Sequence, residues 1–514
     1  MSTRREVLAG GTAWLGTGWG GVPSPRRVAV SCPAGRFVGE RSGSVSAFRG
    51  IRYGRAARFR APAPVPTARE PLDATAFGPA CPQRGRRHPQ SEDCLFLNVW
   101  TADLDRRARL PVLVWVHGGA YAFGSAGDAV THGEALAGLG EAVVVSVNHR
   151  LNAFGYLYLA QLDPRWPDSG NAGQLDLVLA LRWIRDNIAA FGGDPSRVML
   201  IGQSGGGAKI ATLMAMPTAR GLFHRAVTMS GQQVTVAARA RATARARAVL
   251  ARLDARTPAA LTTLPAERLV EALDAPDPFE QGSVDMGPVL DGRWLSRHPY
   301  RPDAAPDGLA VDLMLGGTRD EARDFVDPAS PDMRQLNWAD LPRRLAIELP
   351  GDVPADVVVE AYRRHWPAAS PADIFFRATT DGRSWRPQLV EAEARARAGR
   401  PAYVYQLDFA SPTRPGRGAF HGLDIALVFG TLDAADAGTG TGPDARALSR
   451  LMQHRLLAFA ATGDPTPPGL PPWPAYGVDE RHTMLFDVRS RVVCDPRRWQ
   501  RELFARYSYT QPGT

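Results

Sequence analysis

The sequence predicts an α/β architecture: a mostly parallel central sheet with helices on both faces and a helical insertion. Three observations carry this. Apolar runs of strand length alternate with segments of helical periodicity along most of the 514 residues, the order that builds parallel sheets. Residues 110–116 and 143–147 are almost wholly apolar, as strands buried on both faces must be. Residues 191–209, FGGDPSRVMLIGQSGGGAK, place a Gly-x-Ser-x-Gly turn between a strand and a helix. Such a turn holds the serine hydroxyl clear of the backbone at the top of a sheet, and glycines on both sides let it close.

The elements follow in order. Residues 28–53 alternate apolar and polar positions between glycines and read as antiparallel hairpins. Residues 55–90, rich in proline and arginine, read as an irregular loop. Strands are expected at 95–100, 110–116, 143–147, 198–201 and 226–229. Leu175, Val178, Leu179, Trp183, Ile184 and Ile188 fall on one face of a helix over 174–188. Residues 232–280 turn helical and form the insertion over one end of the sheet. Strands follow at 311–315, 402–407 and 484–486, with mostly helical sequence over 332–396, a helix over 446–461 and a closing helix running to about 507.

Composition sets the outer limits. The chain is 44% hydrophobic and 22% charged, a balance that supports a large buried core. The net charge of +9 comes from scattered arginines; Lys209 is the only lysine. No basic stripe interleaved with aromatics occurs, so a nucleic-acid partner is not indicated. Residues 1–27 open with Arg4-Arg5 before a mildly apolar, glycine-containing run. This resembles a twin-arginine export signal and is too short and glycine-rich for a membrane span; the other reading is a plain N-terminal tail on a cytoplasmic protein. Residues 28–514 then form a single domain. The four cysteines, Cys32, Cys81, Cys94 and Cys494, include no Cys-x-x-Cys pair, which leaves a metal or redox reading without support. In an exported chain, Cys81 and Cys94 are close enough in sequence for a bridge.

A Gly-x-Ser-x-Gly match is weak alone in a chain with 51 glycines. Its neighbours strengthen it. A serine nucleophile needs a base, an acid that orients the base, and donors for an oxyanion. With chain order serine, acid, histidine, the acid falls just past the strand at 311–315, where Asp320 and Glu321 both fit the spacing. Of the later histidines His365, His421, His454 and His482, His421 lies in a glycine-flanked loop past a strand, where such sheets place chemistry. His117-Gly118-Gly119-Ala120 follows the strand at 110–116 directly, and its backbone amides suit an oxyanion. His117 itself reads as a structural loop histidine.

Together these pieces resemble the type-B carboxylesterases, the α/β-hydrolase family that includes para-nitrobenzyl esterases and cholinesterases. The resemblance also rests on Phe48-Arg49-Gly50-Ile51, Ser91-Glu92-Asp93-Cys94-Leu95, Asn98-Val99-Trp100, residues 148–150, Gly170-Asn171, residues 288–292 and Val428-Phe429-Gly430. It implies Ser204 as nucleophile, Glu321 rather than Asp320 as acid, and His421 as base. It implies oxyanion donors at the amides of Gly119, Ala120 and Gly205, Ser230 as a serine beside the triad, a Cys81–Cys94 disulfide and an Arg58–Glu92 ion pair. The implied activity is hydrolysis of small to medium esters through an acyl-enzyme, without metal or cofactor. The same triad acting on amides or thioesters, or as an acyltransferase, and a non-catalytic binding homologue are the alternatives. Three departures stand out. Gln203 replaces the usual Glu before the nucleophile, and Ala322 replaces a Gly after the acid. The short Cys81–Cys94 loop leaves no room for the tryptophan with which cholinesterases hold a quaternary ammonium group.

Overall fold

The computed structural model describes residues 26–514 apart from 86, 87 and 352; the expected export signal therefore lies almost wholly outside the described residues. The apolar runs become the middle of a thirteen-stranded sheet. Twelve of its strands form one continuous path: β1 Arg26–Cys32, β2 Gly35–Ser42, β3 Val45–Arg52, β4 Phe96–Thr101, β5 Leu110–Val116, β6 Val143–Val147, β7 Gly193–Gln203, β8 Arg225–Met229, β9 Asp312–Thr318, β10 Tyr403–Leu407, β11 His482–Phe486 and β12 Arg491–Cys494. Their spatial order is β1-β2-β3-β4-β6-β5-β7-β8-β9-β10-β11-β12. The seven strands from β6 to β11 run parallel, and antiparallel pairs close both ends. The mostly parallel α/β-hydrolase sheet expected from sequence is what forms.

Side-chain alternation divides the core between the two faces. Val112, Val114, Val116, Val198 and Leu200 point to one side, against Leu177, Val178, Leu181 and Ile184 of the helix Ala172–Asn187. Leu113, Trp115, Met199 and Ile201 point to the other, against Leu448, Met452, Leu456 and Phe459 of the helix Pro443–Thr462. The central strands thus read as unbroken apolar runs because neither face meets water. The insertion supplies the helices Arg239–Arg252 and Ala266–Glu271. A second helical layer, Leu341–Ala346, Ala355–His365 and Pro371–Thr379, follows β9 and packs around Phe375, Tyr362 and Leu345, while the next helix, Arg386–Arg397, sets Leu389 and Ala392 against the main core. Among the described residues, no helix is long and apolar enough to cross a membrane.

The elements that the sequence reading did not foresee include the edge strand β12, the helix Leu423–Phe429 and the short helices Glu134–Ala137, Asn152–Tyr156 and Ala322–Phe325. The loop at 55–90 contains two short strand pairings, Ala63–Pro64 to Gly54–Arg55 and Leu72–Asp73 to β2, and isolated bridges at Thr75 and between Ala80 and Gln90. The disulfide expected between Cys81 and Cys94 is not formed; both are buried free thiols. They lie in contact, and the Cys81 thiol beside it, together with burial, raises the Cys94 thiol. The Arg58–Glu92 pair is present, with Arg58 Nε donating to Glu92 Oε2 at 2.6 Å. Arg58 Nη1 also reaches the carbonyls of Leu261 and Leu264 at 2.8 and 2.6 Å, tying this loop to the insertion.

One buried ion pair fixes the loop after β6. Arg150 Nε and Nη2 donate to Asp176 at 2.8 and 2.7 Å, and the Arg150 amide adds a third bond at 2.9 Å. Both side chains are buried. Asp176→Asn should therefore lower unfolding stability by about 3–5 kcal/mol, the cost of an uncompensated buried charge. Urea denaturation measures this, and an unchanged midpoint would contradict it.

Candidate active site

Because β5 to β11 are parallel, the ends of β5, β7, β8, β9 and β10 open on one edge of the sheet, the edge where such sheets bind ligands. Every candidate residue lies within a few positions of one of these ends or in the loop after β10. At the end of β7 the chain turns through Ser204 at φ 55° and ψ −127°, a left-handed conformation rare for a non-glycine residue. Its amide donates to Met229 O at 2.7 Å. The turn then enters the helix Gly205–Leu213. Gly206 is needed for close approach: a Cβ there would lie 2.0 Å from Val116 O. The elbow expected from the sequence is thus built, with its serine facing a cavity of about 820 Å³.

The structure separates the two candidate acids. Glu321 is buried, and its Oε2 accepts a short hydrogen bond from His421 Nδ1. Its Oε1 accepts from Ser230 Oγ at 2.6 Å and from the Thr318 amide at 2.7 Å. Asp320 instead pins the histidine loop: its Oδ2 accepts from the Ala419 amide at 2.9 Å, and its own amide donates to Ala419 O at 2.9 Å. Burial alone would raise Glu321, but His421 and the hydrogen bonds from His421, Ser230 and Thr318 outweigh it and hold the carboxyl below its ordinary range. Burial would lower His421, yet Glu321 outweighs it, helped by Asp324 and Asp424, and the imidazole is raised. His365 stacks on Trp499, His454 lies within the helix Pro443–Thr462, and His482 pairs with Cys494 in the sheet. None of the three meets Glu321.

At the end of β5, Gly119 and Ala120 take φ values of 80° and 50°. No hydrogen bond among the described residues uses the amides of Gly119, Ala120 or Gly205 as donors, and all three residues line the cavity with Ser204 and His421. His117 is buried and stacked on His149 at 4.6 Å. Burial, with Lys209 nearby, pushes His117 down to about 3, so it stays neutral and structural, as read from the sequence.

The cavity wall mixes chemistries. Tyr121, Met286 and Gly287 lie along it with Gln232, Gln233 and Asp285; the Tyr121 hydroxyl donates to Gln233 Oε1 at 2.7 Å. The cavity is also lined by Phe123 and Phe325, which are 56% and 46% exposed. Phe325 leans on the His421 ring at 4.6 Å.

Gln203, which departs from the usual Glu before the nucleophile and is read from the sequence as lying near His421, touches that histidine directly. Gln203 Nε2 lies 3.0 Å from His421 Nε2. With Nδ1–H engaged by Glu321, neutral His421 presents Nε2 as an acceptor, and the Gln203 amide donates to it. No hydrogen bond joins Ser204 to His421 among the described residues. The Gln203 contact favours the neutral imidazole. A carboxylate at this position would favour the imidazolium, so Gln203→Glu should raise the pKa of the acid limb of kcat/KM by about one unit or more. An acid limb that stays in place would contradict this.

Asp424 was missed. It sits in the first turn of the helix Leu423–Phe429, buried, and accepts from Tyr405 Oη at 2.7 Å. Burial first, and then the charge of Glu321, raises it to about 6 although the Tyr405 bond and His421 oppose this. A lone acid inside an apolar run was the available clue.

An elbow serine, a histidine held by a buried carboxylate and a set of unused amides define a hydrolase of the α/β-hydrolase fold with a serine at its centre. The chain belongs to the carboxylesterase family, whose sequence profile matches residues 24–502, and it is a carboxylic ester hydrolase. It is 34% identical to the para-nitrobenzyl esterase of Bacillus subtilis (strain 168) over 92% of this chain and 97% of that protein. It is 33% identical to the phenmedipham hydrolase of Pseudarthrobacter oxydans over 84% of this chain and 90% of that one. The crystal structure of the Geobacillus stearothermophilus carboxylesterase EST55 superposes with a TM-score of 0.84 at 33% identity, covering 93% of this chain and 99% of that chain.

Proposed function

We propose that Ser204, His421 and Glu321 form the catalytic triad of this esterase, and that the amides of Gly119, Ala120 and Gly205 bind the oxyanion. The observation that carries this reading is the Glu321–His421 hydrogen bond beside the strained Ser204 turn. His421 Nε2 takes the Ser204 proton as Oγ bonds to the ester carbonyl carbon. The tetrahedral intermediate collapses, the C–O bond to the alcohol breaks, and His421 returns the proton to the leaving alkoxide. Water, deprotonated by the same nitrogen, then releases the acid and restores the serine. Glu321 keeps Nδ1 protonated and stabilises the imidazolium, with Ser230 and Thr318 holding its other oxygen. Turnover requires the Gln203 amide to yield Nε2 to Ser204. The substrates are small to medium esters, matched to a cavity of about 820 Å³. Hydrolysis of p-nitrophenyl acetate, butyrate and octanoate, with competing alcohols and amines present, tests this. Acid release from the esters is expected; acyl transfer to the added nucleophile as the main outcome would overturn hydrolysis as the function.

The same reading includes export through residues 1–27 and closure of Cys81 to Cys94 in an oxidising compartment. The buried contact of the two thiols supports the bridge. Intact-mass analysis of protein recovered from the producing cells' medium or envelope tests both. Loss of two hydrogens mapped to a Cys81–Cys94 peptide pair is expected; retention of both thiols there, or of the leader, would contradict it.

A further inference from the structure

Of the 61 Lys and Arg residues, Lys209 alone is lysine. Among the described residues it is also the least exposed of them, with 0% relative exposure, whereas many arginines form ion pairs at the surface, Arg27, Arg84, Arg185 and Arg364 among them. It lies on the elbow helix Gly205–Leu213, four residues past Gly205. Side chains four apart share a helix face and lean toward the N-terminus. Its ammonium therefore projects back beneath the elbow, into the loop that follows β5. There Nζ donates to His117 O at 3.1 Å and to Ala120 O at 2.7 Å. The Tyr121 ring lies 5.5 Å from Nζ. No carboxylate pairs with Lys209 among the described residues. A cation buried against backbone carbonyls and a ring, with no counter-ion, is costly and has to be held by the geometry around it.

The two carbonyls it holds have a particular place in the loop. The His117 and Ala120 carbonyls belong to the peptide planes 117–118 and 120–121. The planes between them, 118–119 and 119–120, carry the unused N–H groups of Gly119 and Ala120. Clamping the outer planes fixes the direction of the inner ones. The loop needs such a clamp because Ala120 is held at φ 50°, a conformation that persists only when its surroundings over-determine it. The same helix that carries Lys209 presents the Gly205 amide at its first turn. Ala120 packs directly on it: a Cβ on Gly205 would lie 2.4 Å from Ala120 Cα. One helix thus supplies one amide and aligns the other two. A guanidinium is planar and carries five donors in a rigid fork. The pocket offers two carbonyls and a ring face, which suit a compact ammonium.

We propose that Lys209 is the positioning residue of the oxyanion site: its compact ammonium clamps the 117–120 loop to the elbow helix so that the Gly119, Ala120 and Gly205 amides converge. This rests on the triad and oxyanion reading above. Burial pushes Lys209 down to about 7, which agrees with an amine held by carbonyls and not by a carboxylate.

The test compares wild type with Lys209→Met, which keeps length and removes the donors, and with Lys209→Arg. Steady-state kinetics on p-nitrophenyl butyrate are measured with the inhibition constant of an alkyl trifluoromethyl ketone, whose adduct with a serine carries an oxyanion. For Lys209→Met, kcat should fall about 10²–10³-fold, as for loss of an oxyanion donor, with KM within a few-fold of wild type. The ketone should weaken in parallel with kcat. Lys209→Arg should stay at least about tenfold below wild type, since its fork does not match the two acceptors. Should Lys209→Met fail to fold, Lys209→Gln, which keeps N–H donors on a shorter stem, carries the same comparison with a smaller loss. A folded Lys209→Met or Lys209→Gln with wild-type kcat would overturn the clamp. A loss confined to KM, ketone affinity unchanged while kcat falls, or full activity in Lys209→Arg would do so as well. Ser204→Ala separates this from the parent reading: if it remains active, the triad assignment itself falls. If it is dead while Lys209→Met is fully active, only the clamp falls.

Discussion

Ser204→Ala should lower kcat on p-nitrophenyl butyrate by about 10⁶-fold while KM changes little, because the nucleophile is lost and the binding surface is kept. The residual rate is what the oxyanion amides and binding supply without a nucleophile, about 10³–10⁴-fold over water. Removing the hydroxyl leaves the backbone of the elbow intact: the Ser204 amide still donates to Met229 O, and alanine tolerates the same φ no worse than serine. A loss from unfolding is therefore not expected, and circular dichroism of the variant should match wild type. A variant within about a hundredfold of wild type would mean that another group attacks the ester.

Glu321→Gln should cost about 10⁴-fold in kcat. The carboxylate now accepts from His421 Nδ1, Ser230 Oγ and the Thr318 amide. An amide can keep two of these three contacts, with its oxygen toward Ser230 and Thr318. Its NH₂ group then faces His421 Nδ1 and turns that nitrogen into an acceptor. The proton moves to Nε2, where the serine proton has to go. The pH profile should shift as well. Glu321 raises His421 above its ordinary value, and imidazole must be neutral to act as base, so wild-type activity is lost as pH falls through that raised value. Without the carboxylate the acid limb of kcat/KM should move to lower pH. A variant with unaltered kcat and an unmoved acid limb would show that Glu321 does not hold the base. Asp320→Asn, by contrast, disturbs the anchoring of the 417–421 loop through Ala419 and the partly exposed pairing with Arg319 and Arg323, and should have the smaller effect.

Much of this was legible in the sequence because the backbone demands it. The elbow and the loop after β5 need glycine where chain meets chain, and Gly119 and Gly206 mark those places. The central strands declare themselves because burial on both faces leaves no polar position among residues 112–116. Other parts carry no such mark. Strand β12 is an edge strand with partly exposed residues and no alternation, and the helix Leu423–Phe429 is too short for its period to stand out. Spacing left Asp320 and Glu321 equivalent; they differ in direction, one toward the Ala419 amide and the other toward His421. The Gln203 contact with His421 depends on how two side chains from distant segments turn, and no local pattern encodes that. The role of Lys209 was hidden differently. Its rarity was visible as composition, but only the burial and the two carbonyls give the rarity a physical cause.

The most direct test of the account is the site of covalent capture by a fluorophosphonate. The probe transfers its phosphonyl group to an activated serine hydroxyl with loss of fluoride, so it reports nucleophile and base together. Peptide mapping by mass spectrometry should place one adduct on Ser204 in wild type, with activity lost in step with labelling, and none in Ser204→Ala or His421→Ala. Labelling of a different serine, or labelling of Ser204 that leaves turnover intact, would contradict the assignment of Ser204 as the nucleophile.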